Sequence, residues 1–332
     1  MIIDGRPLVG HRTGIGTHTA EIARRLGVDP PPLIASHAAI DDRSGIERCR
    51  FRVDRMPYGV MWQQLVLPRI ARDGVLWAPH GTIPLTLRTP AVITLHDFTA
   101  LTMPDRHRIQ TILSFDLFIG RSVQRAARVA AVSRAIADQA MRWFGVSCEV
   151  VPNGVDDFFT PDGGEEGDTI LFAGTLEPRK GIDDLLDVWS SLPAPRPPLV
   201  LCGDAGWRVR VPDGVQVTGY VDRERLRELY RRARLFVYPS RYEGFGIPPL
   251  EAMACGAPVV ATRTGAIPEY ADGAALLVEP GDRNALRAAV VRALGDRALR
   301  DELRARGIER ATHYRWDRSA ALMTELLAEA AH

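Results

Sequence analysis

The chain has 332 residues, 42 Lys+Arg against 41 Asp+Glu for a net charge of +1, and 46% hydrophobic residues. That length exceeds what one hydrophobic core usually fills, so two domains are expected. A near-neutral balance excludes a nucleic-acid binder held by bulk charge. No apolar run approaches the ~18 residues of a membrane span. The start MIIDGRPLVG lacks the basic and apolar segments of a signal peptide, so a cytoplasmic protein is expected. Cys49, Cys148, Cys202 and Cys255 are widely spaced with no C-x-x-C pair, which reads as reduced, buried thiols. Charge sums to +4 through residue 157 and −3 beyond it. A mildly basic first half suits an anionic or membrane-surface acceptor, and equally a solvated face.

Short β-branched runs alternate with amphipathic stretches, the rhythm of an α/β protein. In chain order the pattern predicts helices at 16–26 and 60–71, strands at 75–77 and 91–95, and a helix at 107–126. A strand at 128–132, a helix at 134–144 with Ser133 as its N-cap, and a strand at 149–151 follow. The stretch VPNGVDDFFTPDGGEEGD breaks the periodicity as an interdomain linker does. Strands at 169–173, 199–201, 215–218, 235–238, 258–261 and 276–278 then make a second doubly wound unit. The closing WDRSAALMTELLAEAA sets Trp316, Ala320, Met323, Leu326 and Leu327 at helical spacing, and no strand follows. The expected division is 1–157, 158–312 and a final helix at 313–332.

Two segments carry chemistry. In TILFAGTLEPRKGIDDLLDVW a strand runs into a turn opened by Gly174 and Thr175 and then into a helix after Gly181. Ligands of parallel sheets bind beyond strand carboxyl ends, where a helix start favours an anion. Arg179 and Lys180 stand at that entrance, a planar fork beside a compact point charge, which together suit a diphosphate. Lys180 is the single lysine among the 42 basic residues. In PSRYEGFGIPPLEAMACGAPVVAT, Glu243 lies in a loop and Glu251 in the first turn of the following helix. Gly244 and Gly246 let backbone approach a ligand, and Pro248 and Pro249 suit a helix start. The two carboxylates could take hydroxyls at opposite ends of one extended ligand, a sugar and a ribose. Alone, Glu251 could equally serve the helix dipole.

These segments, with VPNGVD, GYVDRERLRELY and HYRWDRSA, together resemble glycosyltransferase family 4, whose members are retaining, nucleotide-sugar-dependent enzymes of the GT-B fold. The resemblance covers essentially the whole chain. It implies two Rossmann-like domains facing across a cleft, and a last helix that crosses back onto the N-terminal domain. It further implies that Arg179 and Lys180 bind the donor diphosphate, and that Glu243 with the Gly244, Phe245, Gly246 and Ile247 backbone binds the donor sugar and phosphate. Glu251 would hold the ribose, and Tyr220 and Val221 would border the base.

In RTGIGTHTAEIARRL the third glycine of a dinucleotide fingerprint would fall at Thr19, which speaks against a nicotinamide site. The family resemblance instead places Gly14 and Gly16 near the donor phosphate and acceptor. His96, at the end of AVITLH, would lie beside the donor sugar by the same resemblance, with a structural histidine as the alternative, and His80 occupies a similar strand end. No D-x-D occurs, so no metal site is expected, and Arg179, Lys180 and backbone dipoles would neutralise the leaving group. The expected function is transfer of a hexose from a nucleoside-diphosphate sugar to a glycan, lipid-linked or small-molecule acceptor. No resident cofactor is expected, and GDP-mannose is favoured over UDP-sugars as co-substrate. Peripheral membrane contact through the N-terminal domain, at the inner membrane face, is a further expectation. A nucleotide-sugar hydrolase or epimerase, or a non-catalytic nucleotide-sugar-binding protein, are the alternatives.

Overall fold

The computed structural model describes residues 1–10, 13–102, 118–204 and 211–332. The chain divides into two compact units, Met1–Gly154 with Trp316–His332, and Val155–Arg315. Among the described residues, unit 1 is built on β1 (Ile2–Asp4), β2 (Leu33–Ser36), β3 (Arg50–Val53), β4 (Leu76–Ala78), β5 (Ala91–Leu95), β6 (Arg128–Ala131) and β7 (Glu149–Val150). These form a seven-stranded sheet in the order β3-β2-β1-β4-β5-β6-β7, parallel throughout. Unit 2 contains β8 (Thr169–Ala173), β9 (Leu199–Cys202), β10 (Val215–Gly219), β11 (Ala233–Tyr238), β12 (Val259–Thr262) and β13 (Leu276–Val278). Its six parallel strands run β10-β9-β8-β11-β12-β13. Both are doubly wound Rossmann-like sheets. In each, winding reverses beside the first strand, between β1 and β4 and between β8 and β11, and ligands of such sheets bind at that reversal.

Most strands that the sequence makes plain are buried on both faces, although the more exposed β7 and β10 are read as well. β5 and β12 are buried at every position, as a parallel sheet covered by helices requires. β1, β2 and β3 have no counterpart in the sequence reading. β1 is three residues ending in Asp4, β2 follows three consecutive prolines, and β3 is the largely exposed edge strand RFRV, so none offers a long apolar run. The helix expected at 60–71 is interrupted at Val66 into Gly59–Leu65 and Leu67–Ile70, where Pro68 supplies no N–H. The helix expected at 107–126 falls partly outside the described residues, and 118–125 is helical. Ser133 caps Arg134–Phe144 by accepting the Ile136 N–H at 3.1 Å, and Gly145 ends it at φ +66°.

The linker expected near residue 157 is packed onto unit 2. Phe159 is buried with its ring 5.9 Å from that of Tyr230. Asp162 pairs with Arg232 at 2.8 Å, and Glu166 with Arg300 at 2.8 Å and Arg304 at 3.1 Å. The acidic cluster is thus counter-charge for unit 2 arginines. The final helix, Trp316–Ala331, packs in unit 1 against Gly14–Ala23, β5 and β6, and buries Trp316, Ala320, Met323, Leu326 and Leu327.

Gly181 joins the Pro178–Lys180 turn to the helix Ile182–Ser190 at φ +68°, and a Cβ there would lie 2.1 Å from the Pro239 carbonyl oxygen. Left-handed strain and a backbone clash add, so Gly181→Ala is expected to destabilise unit 2 by about 2–4 kcal/mol. Urea unfolding checks this. An unchanged midpoint would mean that the two loops do not press together at this point.

Candidate active site

β8 and β11 are paired, with Ile170 opposite Leu235 and Leu171 opposite Phe236. Loops leaving their carboxyl ends therefore emerge side by side. Gly174 turns away from the sheet at φ +141° while its N–H holds the Cys202 carbonyl at 2.8 Å. Thr175 beyond it is exposed. From the β11 side, the Arg241 N–H reaches the Arg179 carbonyl at 2.7 Å, which clasps the loops together.

This clasp brings Lys180 and Glu243, 63 residues apart, into one buried ion pair at 2.6 Å. Each residue is only 7% exposed. Glu243 Oε1 accepts from Lys180 Nζ at 2.6 Å, from Ser240 Oγ at 2.6 Å and from Tyr238 OH at 2.9 Å. Arg179 Nη1 stands 3.7 Å from the other oxygen, Oε2. Arg179 also pairs with Glu177 at 2.7 Å and donates to the Tyr242 carbonyl at 3.3 Å. Burial pushes the Glu243 pKa up, but the Lys180 and Arg179 charges and the hydrogen bonds outweigh it and hold the carboxyl below its ordinary value. Burial draws the Lys180 ammonium down, against the attraction of Glu243. The stable arrangement is an ionised pair, since either charge alone in this setting would be costly.

An ammonium has three N–H donors, and Lys180 spends one on Glu243 and one on Tyr238 OH at 2.8 Å. Lys180 stands in the turn just before the helix, as the sequence places it, but its side chain does not project into the open: it is buried between the loops with one donor left over. Nor is the amino end of Ile182–Ser190 an open anion site. Asp184 in its first turn is buried and paired with Arg241 at 2.9 Å and with Arg283, so that helix start already has its anion.

Gly246, at φ +81°, opens the helix Ile247–Ala254, and its carbonyl accepts from Tyr270 OH at 2.6 Å. Gly244 and Phe245 are buried beside it and Ile247 is half-buried. Glu251, half-buried one turn later, accepts from the buried Tyr230 OH at 3.0 Å. Tyr220 is 70% exposed and Val221 half-buried, beyond the end of β10.

In unit 1, His96 follows β5, half-buried, with Nε2 2.9 Å from the Pro79 carbonyl. A carbonyl only accepts, so Nε2 carries the proton and Nδ1 a lone pair. Dense surroundings first, then the neighbouring His18 and His80, hold its pKa well below the ordinary value. Gly14 and Gly16 lie within the first turn of the helix Gly14–Ala23 rather than in a loop. His80, beyond β4, is exposed. At the β1 end, buried Asp4 grips Arg6 at 2.7 and 3.0 Å. Among the described residues no cluster of three or more His, Cys, Asp or Glu could hold a metal ion.

Two family models divide the chain almost without overlap. Glycosyltransferase Family 4 matches residues 12–157, and Glycosyl transferases group 1 matches 156–312. The chain is a GT-B glycosyltransferase of this family. It is 29% identical to O-antigen chain mannosyltransferase B of Escherichia coli over 96% of both chains. Among solved structures it resembles sucrose-phosphate synthase of Thermosynechococcus elongatus, with TM-score 0.77 and 21% identity over 98% of this chain and 97% of that one. It also resembles Anabaena Alr3699/HepE in complex with UDP-glucose, with TM-score 0.75 and 19% identity over 99% and 97%.

Several residues of this glycosyltransferase's sites escape sequence reading, chiefly Tyr238, Tyr230 and His18. His18 is fully buried in the helix Gly14–Ala23, with Nδ1 2.8 Å from Asn153 Oδ1 and its ring 4.6 Å from that of His96. Its Nε2 has no hydrogen-bond partner. Desolvation, only partly offset by the Asn153 bond, lowers its pKa to about 4. Between pH 6.5 and 4 the unfolded chain therefore binds a proton that the folded chain refuses, so stability falls as pH falls through that window. His18 should cost about 2 kcal/mol at pH 5 relative to pH 7. Urea unfolding of unit 1 at both values checks this, and His18→Gln should lose that part of the pH slope.

Proposed function

We propose that this glycosyltransferase moves a hexose, with mannose from GDP-mannose as the first assignment, onto a glycan or lipid-linked acceptor, with retention and without a catalytic metal. The observation that carries this reading is the division of labour around Glu243. One carboxylate oxygen is saturated by Lys180, Tyr238 and Ser240, while Oε2 faces Arg179 from 3.7 Å. Oε2 is the acceptor for a donor-sugar hydroxyl. The remaining Lys180 N–H, Arg179 and the N–H groups at the Gly246 turn supply positive charge for the leaving diphosphate. Glu251 takes the ribose hydroxyls and Tyr220–Val221 border the base. In unit 1, His96, whose neutral Nδ1 can accept a hydroxyl hydrogen bond, is the candidate catalytic residue.

Retention is proposed from the family resemblance, and the state of Glu243 bears on the route it would take. A carboxylate bound by three donors on one oxygen and paired with a buried ammonium is a poor covalent nucleophile. For a retaining transfer this favours departure and attack on the same sugar face, assisted by the leaving phosphate, over a double displacement through Glu243. Mannose is supported by the full-length relative, an O-antigen chain mannosyltransferase. Its name also supports an O-antigen-type polysaccharide acceptor, and peripheral membrane binding is part of the proposal. Among the described residues no helix is long and apolar enough to cross a membrane.

The test is single-turnover transfer from GDP-mannose and from UDP-sugars to a mannan oligosaccharide, in excess chelator, with product stereochemistry read by NMR. Transfer at an undiminished rate with retained configuration is expected, whereas sugar released only to water would favour a hydrolase. Lys180→Arg should lower kcat/KM by roughly 100- to 1,000-fold, about 2.7–4 kcal/mol, because a planar guanidinium cannot divide its donors as the ammonium does. Wild-type kinetics in Lys180→Arg, or a rate lost in chelator and restored by magnesium or manganese, would overturn this placement of the leaving-group site.

A further inference from the structure

Both carboxylates assigned to the donor are held from behind by the hydroxyl of a buried tyrosine. Tyr238 OH stands 2.9 Å from Glu243 Oε1 and 2.8 Å from Lys180 Nζ, and Tyr230 OH stands 3.0 Å from Glu251 Oε2. Neither side chain is exposed to a ligand, at 1% and 0%. The rings belong to one aromatic row. Tyr238 stacks on Phe172 and Phe236 at 5.7 and 6.0 Å, Tyr230 meets Phe236 edge-on at 5.5 Å, and Phe159 closes the far end at 5.9 Å from Tyr230. Phenylalanine would fill either place in that row as well as tyrosine does. The hydroxyls are therefore the informative atoms, since a buried hydroxyl is costly unless its hydrogen bonds are made.

We propose that Tyr238 and Tyr230 are positioning residues, Tyr238 aiming the Lys180 ammonium and Glu243 at the donor's sugar-diphosphate end and Tyr230 aiming Glu251 at its nucleoside end. The inference rests on the donor-site reading above. A phenol has one proton. On Tyr238 that proton goes to the carboxylate, the stronger acceptor, which leaves a lone pair to take one N–H of Lys180. Burial and the Glu243 charge raise the Tyr238 pKa well above the ordinary value, so the proton stays in place. With two N–H bonds of the ammonium fixed by Tyr238 and Glu243, the direction of the third is fixed as well. Without the phenol the ammonium is free to swing onto Glu243 alone, and its third donor loses its aim. Tyr230, reaching across from the helix Arg223–Arg232, fixes the rotamer of Glu251 by a single donated bond. Phe236 packs against both tyrosine rings, so the two hydroxyls are anchored in one aromatic row. The aromatic row thereby adds a second constraint on the spacing of the carboxylates, beside the largely buried segment 244–250 that joins them.

The experiment is Tyr238→Phe and Tyr230→Phe, each with steady-state donor kinetics, calorimetric titration with GDP alone, and thermal unfolding. Tyr238→Phe should lower kcat at least 10-fold with donor KM within about threefold of wild type. Tyr230→Phe should raise the GDP dissociation constant about 10-fold with kcat within about threefold. The double variant Tyr238→Phe/Lys180→Arg should be no slower than Lys180→Arg alone, since the tyrosine acts through the lysine. Lower melting temperatures with unchanged kinetic and binding constants would reduce both hydroxyls to packing and overturn the proposal. Additive losses in the double variant would overturn it for Tyr238. If Lys180→Arg is impaired while both Tyr→Phe variants are normal, only this inference fails. If Lys180→Arg itself is normal, the donor-site reading falls and takes the inference with it.

Discussion

The buried Lys180–Glu243 pair is the contact on which the arrangement of unit 2 depends. At 2.6 Å and away from water the attraction is strong, yet removing both ions from water costs several kcal/mol each, so the pair is stable only with its remaining bonding sites satisfied. Tyr238, Ser240 and Arg179 meet that requirement, and each comes from one of the two loops or from the end of β11. A cation able to give three donors in three separate directions fits between those partners. A flat guanidinium, which sends its donors out in one plane, does not. In a chain whose other basic residues are all arginine, this geometry is a sufficient reason for one lysine.

The pair in turn constrains the backbone around it. For Lys180 to reach Glu243 the two loops must touch, and Gly181 provides the closest approach, directly against the Pro239 carbonyl. On the opposite side of the same loop, Gly265 approaches so closely that a Cβ would lie 2.3 Å from the Glu243 carbonyl oxygen. Glycine at these positions buys contact between backbones. The topology makes the contact possible, since β8 and β11 are paired at the winding reversal and their carboxyl-end loops start side by side.

How much of this was legible follows from the same physics. In unit 2, β8, β9, β11 and β12 were readable because burial on both faces writes β-branched runs, and the more exposed β10 and β13 still carry short apolar patterns, whereas β1 to β3 are short, polar-ended or exposed and leave no such mark. Lys180, Glu243 and Glu251 stood out as types and spacings. That Lys180 and Glu243 meet could not be read, because 63 residues and the order β8-β11 separate the sequence from the contact. Tyr238 and Tyr230 are hidden for another reason. In a strand or an amphipathic helix a tyrosine reads as a core ring, and only coordinates show where its hydroxyl points. His18 reads as one polar residue of a helix, although its helix face is wholly covered.

The two units solve the problem of buried polarity in opposite ways. Unit 2 buries charge and keeps it, pairing Lys180 with Glu243 and Asp184 with Arg241 and Arg283. Unit 1 buries Asp4 with Arg6 but keeps its adjacent imidazoles neutral, His18 by burial and His96 by burial together with the nearby His18 and His80. Paired ions resist pH change because each partner holds the other's protonation state. Neutral imidazoles gain nothing from protonation and lose stability as the unfolded chain takes up protons. Mild acid therefore acts first on unit 1, through histidines that the donor site of unit 2 does not contain. Any loss near pH 5 would on this account come from the lowered stability of unit 1, with His96 still neutral and Lys180 and Glu243 still charged.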